Sequence, residues 1–188
     1  MKTRTNEVAP KHPAIVFRKM GLDDVKDLAH IDRSEWIGQI CRIENGQETW
    51  IEVGQECPGW NAAQLEELQL RFCSELENGG AAIGGYDGDR LAGFGLLGHR
   101  RIGSQNDTLP IDLMYVGRAY RRRGIGTRVK QLLSGEASAR GAKSLYVSST
   151  ESRSAVGFYR SLGSENAIEP DPEMLMKEPF DIHMVRLL

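Results

Sequence analysis

The sequence predicts an α/β (α+β) fold with a mixed central sheet and helices on both faces. Three observations carry that reading. The stretch Ile111–Gly126 switches from strand period to helix period at a basic, glycine-bearing turn. Tyr86-Asp87-Gly88-Asp89 joins two strand-like runs through an Asp-Gly hairpin signal. The spacing from Ile111–Val116 through a helix to Leu145–Ser149 is that of a crossover between parallel strands.

The elements follow in order. Met1–His12 reads as a polar tail, leaving residues 13–188 as one domain, the size at which a chain of 188 residues builds a single core. Ala14–Met20 suits a strand. Leu22, Val25, Leu28, Ala29 and Ile31 fall at helical spacing, with Asp23 and Asp24 in the first turn, so Leu22–Ile31 is expected to be a helix. Ile37–Arg42 and Thr49–Val53 flank Glu44-Asn45-Gly46, an Asn-Gly hairpin signal. Leu65, Leu68, Phe72 and Leu76 form one stripe of a helix that Asn61 or Gly59 would cap and Asn78-Gly79-Gly80 would end. Ala81–Tyr86 and Arg90–His99 are the paired strands around Asp87-Gly88, and Arg100–Thr108 is a polar connection. In the central strand, alternation puts Ile111, Leu113 and Tyr115 on one face and Asp112, Met114 and Val116 on the other. Ile125, Val129, Leu132, Leu133 and Ala137 form the stripe of the next helix, which ends near Arg140-Gly141. Leu145–Ser149 is a strand, Arg153–Leu162 a short helix stopped by Gly163, the proline-bearing Glu165–Phe180 a loop, and Ile182–Leu187 a closing strand.

Composition narrows the function. With 40% hydrophobic and 27% charged residues and a net charge of −2, the chain reads as a globular protein that is not a general nucleic-acid binder. Its arginine cluster is therefore a local site for a small anion. Cys41, Cys57 and Cys73 are odd in number and lack metal-ligand spacing, which argues against a disulfide framework or a zinc site. No stretch has the length and apolarity of a signal-peptide core or a membrane span, so neither a membrane nor a metal is expected and a cytoplasmic location is.

That site lies at the period switch, where Arg118, Arg121, Arg122 and Arg123 precede Gly124 and Gly126 at the start of a helix. Backbone N–H groups of a first helical turn lack internal partners and sit at the positive end of the dipole, and glycine lets an anion approach them. A P-loop does not fit, because Gly126 is followed by Thr127-Arg128 and not by Lys-Ser or Lys-Thr. A dinucleotide fingerprint lacks its third glycine.

What fits is Arg-x-x-Gly-x-Gly, written Arg121-Arg122-Arg123-Gly124-Ile125-Gly126, and here the chain resembles the GNAT family of N-acetyltransferases. A second stretch, Ala155-Val156-Gly157-Phe158-Tyr159-Arg160-Ser161-Leu162-Gly163, is similar to that family's Ala-x-x-Phe-Tyr-x-x-x-Gly helix. The order of elements matches too, most securely over Ala81–Gly163. The resemblance implies a GNAT-like acyl-CoA N-acyltransferase fold and acetyl-CoA as co-substrate. It also implies cofactor contacts from the backbone of Met114, Tyr115 and Val116, from the turn Arg121, Arg122, Arg123, Gly124, Ile125, Gly126 and Thr127, and from Ser152, which stands where an asparagine is frequent. Arg118 stands where many members have proline.

Acetyl transfer from a thioester to an amine needs a proton donor for the departing thiolate, a base for the ammonium and donors for the oxyanion. The resemblance gives the first role to Tyr159 and the last to backbone N–H groups near Met114–Val116. Asp112 is the candidate base, with Glu151 in reserve. Asp32, Glu35, Glu44, Glu48, Glu52 and Glu56 share Ile31–Trp60 with Trp36, Trp50 and Trp60. Glu35 and Trp36 are accordingly candidates for binding a cationic amine, the alternative being a solvated acidic face with the tryptophans inside. His99 and His183 are given no role. The expected function is N-acetyl transfer to a primary amine of a small molecule or peptide in a ternary complex, against the alternative of a non-catalytic acyl-CoA-binding sensor or regulatory module. The resemblance leaves a homodimer open.

Overall fold

The computed structural model describes residues 14–44 and 46–188, so the N-terminal tail and the turn residue Asn45 lie outside it. Seven strands form one sheet in the order β1-β4-β5-β6-β7-β9-β8, and two more form a separate antiparallel hairpin. The seven are β1 (Val16–Met20), β4 (Ala81–Asp87), β5 (Arg90–Leu97), β6 (Thr108–Val116), β7 (Ser144–Ser149), β8 (Glu165–Asn166) and β9 (Ile182–Leu187). Every pairing is antiparallel except β6 with β7, which the crossover helix α2 (Ile125–Ala139) makes parallel as expected. The hairpin strands are β2 (Glu35–Glu44) and β3 (Gln47–Cys57), each longer than the sequence pattern indicated.

Helices cover both faces of the sheet. On one face lies α1 (Ala62–Glu77), which Asn61 caps by accepting from Gln64 N at 2.9 Å, and its Leu68 and Phe72 are buried with Leu28, Phe94, Leu96 and Leu113. On the other face α2 buries Ile125, Val129, Leu133 and Ala137 against Ile83, Ala92, Leu109 and Ile111. A third cluster joins Val156 and Tyr159 of α3 (Arg153–Ser161) to Cys41, Val147, Ile182 and Met184, and so binds hairpin, sheet and helix together.

Two expected elements differ. Leu22–His30 is a 3₁₀ helix, pinned at its start by Asp24, whose carboxylate accepts from Gly21 N and from the Arg18 guanidinium. Glu165–Phe180, expected to be loop, contains β8 and a short helix α4 (Pro172–Lys177) capped by Asp171, with proline in its first turn, where a missing N–H costs nothing.

The larger correction concerns faces in β6. Leu96 pairs with Leu113 and Leu97 with Ile111, so Asp112 is an extra residue, a β-bulge. The bulge breaks the alternation: Ile111 packs against α2, whereas Leu113 and Tyr115 face α1. Parallel pairing with β7 ends there as well, its last partners being Ile111 and Val147.

Arg71 of α1 holds the bulge. Its guanidinium donates to both carboxylate oxygens of Asp112, at 2.6 and 2.7 Å, and to the Asp112 carbonyl at 3.1 Å. The Asp112 side chain is only 5% exposed, with Lys177 Nζ at 3.5 Å. Burial alone would push this carboxyl up, but Arg71, with help from Lys177, more than offsets it and holds it below the usual carboxylate range.

Arg71→Met would strand a buried carboxylate. We expect a loss of about 3 kcal/mol or more in urea unfolding at neutral pH. Because Asp112 titrates lower in the folded than in the unfolded chain, its stabilisation is present in full above the ordinary carboxylate pKa and is lost as pH falls below it. Arg71→Met should therefore lie closest to the native protein in stability at the acid end of the range.

Candidate active site at the splayed strands

Beyond Ile111 the residues of β6 have no strand partner on the β7 side, which opens a wedge in the sheet with Met114, Tyr115 and Val116 along one wall. At its end β6 runs through Gly117 into the arginine turn. Gly124 adopts φ +77°, a left-handed conformation that places it as N-cap of α2 with no side chain over the helix start. The first intrahelical bond is Arg128 N to Gly124 O, so the preceding N–H groups, from Ile125 to Thr127, point out of the helix end. A Cβ on Gly126 would sit 3.1 Å from the Phe158 ring, so this glycine lets α2 and α3 approach closely.

The arginines divide the work. Arg121, the first residue of the motif, turns its guanidinium inward to the carbonyls of Val116, Ser34 and Arg33 at 3.2, 3.2 and 2.9 Å, and so anchors the turn to the segment before β2. Arg118 bonds to Ser34 Oγ and pairs with Glu56. Arg122 and Arg123 are exposed at the mouth, Arg122 with φ +64° and Arg123 over the Tyr120 ring. Two exposed guanidiniums with no ion-pair partner among the described residues, beside a helix start with no side-chain cap, fit a diphosphate.

The far wall is α3 and the end of β7. Ser152, 4% exposed, caps α3 by accepting from Ala155 N. Tyr159 is on the buried face of α3 with Val156, 7% exposed, and its hydroxyl bonds to no protein group among the described residues. Burial, with the negative potential of Tyr115 and Asp181, pushes this phenol well above its ordinary pKa, so it stays protonated at neutral pH.

The hairpin lies across the top of the wedge. Cys41 N donates to Glu151 O at 2.7 Å, and Ile40 bridges to Ser152. Glu48 holds Arg160, Gln39 meets Arg153, and Glu35 accepts from Ser154 with Arg121 at 3.8 Å. Half of the segment's six acids, Glu35, Glu48 and Glu56, are thus engaged by the body of the protein. Of the tryptophans, Trp36 is 61% exposed, Trp50 is at the surface, and Trp60 meets Tyr115 edge-on. Neither sequence-based reading of this segment describes it in full: its acids include Glu35, Glu48 and Glu56, bonded to the body of the protein, and two of the three tryptophans are outside.

Two cavities flank the wedge. One of about 400 Å³ is lined by Ile37, Arg42, Thr150, Glu151, Ser152, Phe180 and Asp181. A smaller one of about 180 Å³ lies on the α1 side between Arg33, Trp60, Arg71 and Tyr115. The candidate bases are therefore separated: Asp112 is locked to Arg71 beside the smaller cavity, while Glu151 is ion-paired with Arg42 in the larger. Asp181, in the larger cavity, was not legible in the sequence. Its neighbours Pro179 and Phe180 end the proline-bearing stretch Glu165–Phe180 that read as a loop.

A parallel strand pair that parts beside a helix start with no side-chain cap and exposed arginines fits the acyl-CoA N-acyltransferase fold. The family profile described as "Acetyltransferase (GNAT) family" matches residues 39–163. The chain belongs to that family. Among solved structures, a nourseothricin acetyltransferase is similar at 17% identity, with 93% of this chain and 98% of that one covered and a TM-score of 0.66. A Bacillus anthracis str. Ames protein named for streptothricin acetylation, solved with acetyl coenzyme A, shares 14% identity over 93% and 98%, with a TM-score of 0.69. The PaiA N-acetyltransferase of Thermoplasma acidophilum, solved with coenzyme A, shares 14% identity over 93% and 99%, with a TM-score of 0.61. These similarities show the fold. Comparison with curated protein sequences gives no match. No helix of the described residues is long and apolar enough to cross a membrane.

The hairpin's grip can be tested directly. Arg160→Ala removes the pair with Glu48 and the bond to Asn166. Hydrogen exchange should accelerate across residues 39–52 and stay unchanged in β4 and β5.

Proposed function

We propose that the protein is an N-acetyltransferase that moves an acetyl group from acetyl-CoA to a primary amine by direct attack in a ternary complex. The observation that carries this reading is the wedge between β6 and β7, with an anion-ready helix start at one end and, packed with Met114 and Val147 beside it, Tyr159, whose hydroxyl bonds to no protein group among the described residues. The pyrophosphate would meet the N–H groups at the start of α2 and the side chains of Arg122 and Arg123, with Thr127 in the first turn. The backbone of Met114–Val116 would hold the pantetheine arm and the oxyanion. Arg121 and Ser152 serve by shaping the walls, since their polar groups are already engaged.

Tyr159 is suited to protonate the departing sulfur because burial keeps it neutral and its hydroxyl has no acceptor among the described residues. A sensor that only bound acyl-CoA would have no use for such a donor. The acceptor reaches the thioester from the cavity at Glu151 or from the one at Tyr115. The similar folds named for nourseothricin and streptothricin acetylation make nourseothricin a sensible probe beside a polyamine, an aminoglycoside and a lysine-bearing peptide. Release of CoA thiol on that panel tests the enzyme reading, and acetyl-CoA binding without thiol release on any amine would favour the sensor.

Two variants test the roles within the wedge. Arg122→Glu with Arg123→Glu, at two exposed positions, should raise the acetyl-CoA Kd at least about tenfold at low salt with the melting temperature little changed. Unchanged affinity by calorimetry would remove the pyrophosphate from this turn. Tyr159→Phe should lower kcat by about 10²-fold with acetyl-CoA affinity intact. Wild-type kcat over a range of pH would leave the tyrosine as packing.

A further inference from the structure

We propose that Asp181 is the carboxylate that takes the proton from the acceptor's ammonium, and that the cavity it shares with Arg42, Glu151 and Phe180 is where the acceptor enters. The inference rests on the acetyl-transfer reading. Its ground is an elimination among the acids around the wedge. Asp112 is held by Arg71 and Lys177, Glu178 lies beside Arg71, Glu151 pairs with Arg42, Glu35 with Ser154 and Arg121, and Glu48 with Arg160. Asp181 makes neither an ion pair nor a side-chain hydrogen bond among the described residues.

Its position is built. The next residue, Ile182, opens β9 and pairs with Ser149 at the end of β7, so Asp181 stands beside Thr150, Glu151 and Ser152 at the edge of the wedge. Asp181 N donates to Glu178 O at 3.2 Å, the same carbonyl that His183 Nε2 meets at 3.0 Å. His183 Nδ1 bonds to Tyr146, whose hydroxyl accepts from Asp171 N, so the whole return loop is braced against β7. Ile182 and Tyr159 share one buried cluster, and the Asp181 charge is felt at the Tyr159 hydroxyl.

The charged and titratable groups facing Asp181 are Arg71 of α1, Glu178 after α4, Arg42 of β2, Glu151 after β7, Tyr115 of β6 and Tyr159 of α3. Burial pushes its carboxyl up, Glu178 adds to the shift and Arg71 opposes it, leaving it at about 6. A base of that strength is largely ionised at neutral pH and still able to accept a proton.

The protons balance. The acceptor ammonium gives one proton to the Asp181 carboxylate. The freed amine nitrogen bonds to the thioester carbonyl carbon, the carbon–sulfur bond breaks, and the sulfur takes the Tyr159 proton. The nitrogen loses its second proton as the amide forms, restoring the tyrosine through the intervening solvent, and Asp181 returns its proton to water. The net products are the amide, CoA thiol and one proton.

Asp181→Asn, Asp181→Glu and the wild type should be compared for kcat and kcat/KM from about pH 5 to about pH 8, with a primary alkylamine and with hydroxylamine, which is neutral at pH 7. For the wild type with the alkylamine, kcat/KM should rise through about pH 6 as Asp181 ionises. Asp181→Asn should lose that limb and about 10²-fold in kcat, with acetyl-CoA KM unchanged, hydroxylamine turnover close to wild type, and partial recovery in Asp181→Glu. Alkylamine turnover in Asp181→Asn within about threefold of wild type, or an equal loss with hydroxylamine, would overturn the assignment. A wild-type profile flat through pH 6 would overturn it even if the variants failed to fold. A wild type inert on every amine would sink the transferase reading and this inference together, whereas turnover with an intact acid limb in Asp181→Asn would sink only the inference.

Discussion

The Arg71–Asp112 ion pair is the constraint on which the site depends. A parallel strand pair normally runs on until one strand ends, and β6 and β7 instead part after Ile111 and Val147. The cause is the extra residue Asp112, which bends and twists β6 away from its neighbour. A bulge leaves backbone groups without ladder partners inside the protein, and here Arg71 reaches from α1 to the Asp112 carbonyl as well as its carboxylate. One partly buried guanidinium therefore satisfies the backbone and the charge at the place where the wedge opens. The wedge, in turn, is what gives Met114–Val116 an edge for a ligand.

The hairpin shows electrostatics used for assembly. Two strands alone bury too little to be stable in water, and β3 is mostly exposed. What fixes the hairpin is a set of contacts with α3 and the arginine turn: the buried Cys41 and Ile40 beneath, and Glu48–Arg160, Gln39–Arg153 and Glu56–Arg118 around them. Exposed pairs of this kind contribute little each, about 1 kcal/mol at most. Their value is in register, because they set which hairpin residues lie over Glu151 and Ser152. The segment thus builds a wall of the larger cavity with Ile37 and Arg42 and presents few free carboxylates.

Much of this was legible in the sequence because local signals and fold agreed. The period switch at Ile111–Gly126 and the Asp-Gly turn located β4, β5, β6 and α2, and the strand–helix–strand spacing gave the parallel pair. Three things were not legible. The bulge at Asp112 depends on a partner 41 residues away, so no alternation rule within β6 could reveal that Ile111 and Leu113 face opposite ways. The inward turn of Arg121 depends on carbonyls of residues 33 and 34, and from the sequence it was one arginine among four. Asp181 owes its surroundings to α4 and β9, elements hidden in a proline-bearing stretch whose helix is capped by Asp171 and braced by Tyr146. In each case the missing information is a long-range contact that local propensity does not encode.

The proton chemistry proposed for the wedge follows from one physical cause acting on two different groups. Withdrawal from water disfavours the charged form, so it raises the pKa of a phenol and of a carboxyl alike. For Tyr159 the rise takes an already weak acid further from ionisation and keeps its proton in place at neutral pH, as its proposed role as donor to the leaving sulfur requires. For Asp181 the same rise takes a carboxylate too weakly basic to be useful and brings it to about 6, near working pH. Asp112, only a few residues from the thioester's expected place on β6, is more buried than either candidate role would need, yet Arg71 cancels the effect and returns it to a permanent anion. The difference between Asp112 and the base proposed at Asp181 is thus whether a guanidinium bonds the carboxylate directly, as Arg71 does Asp112, or only opposes the shift from a distance, as Arg71 does at Asp181.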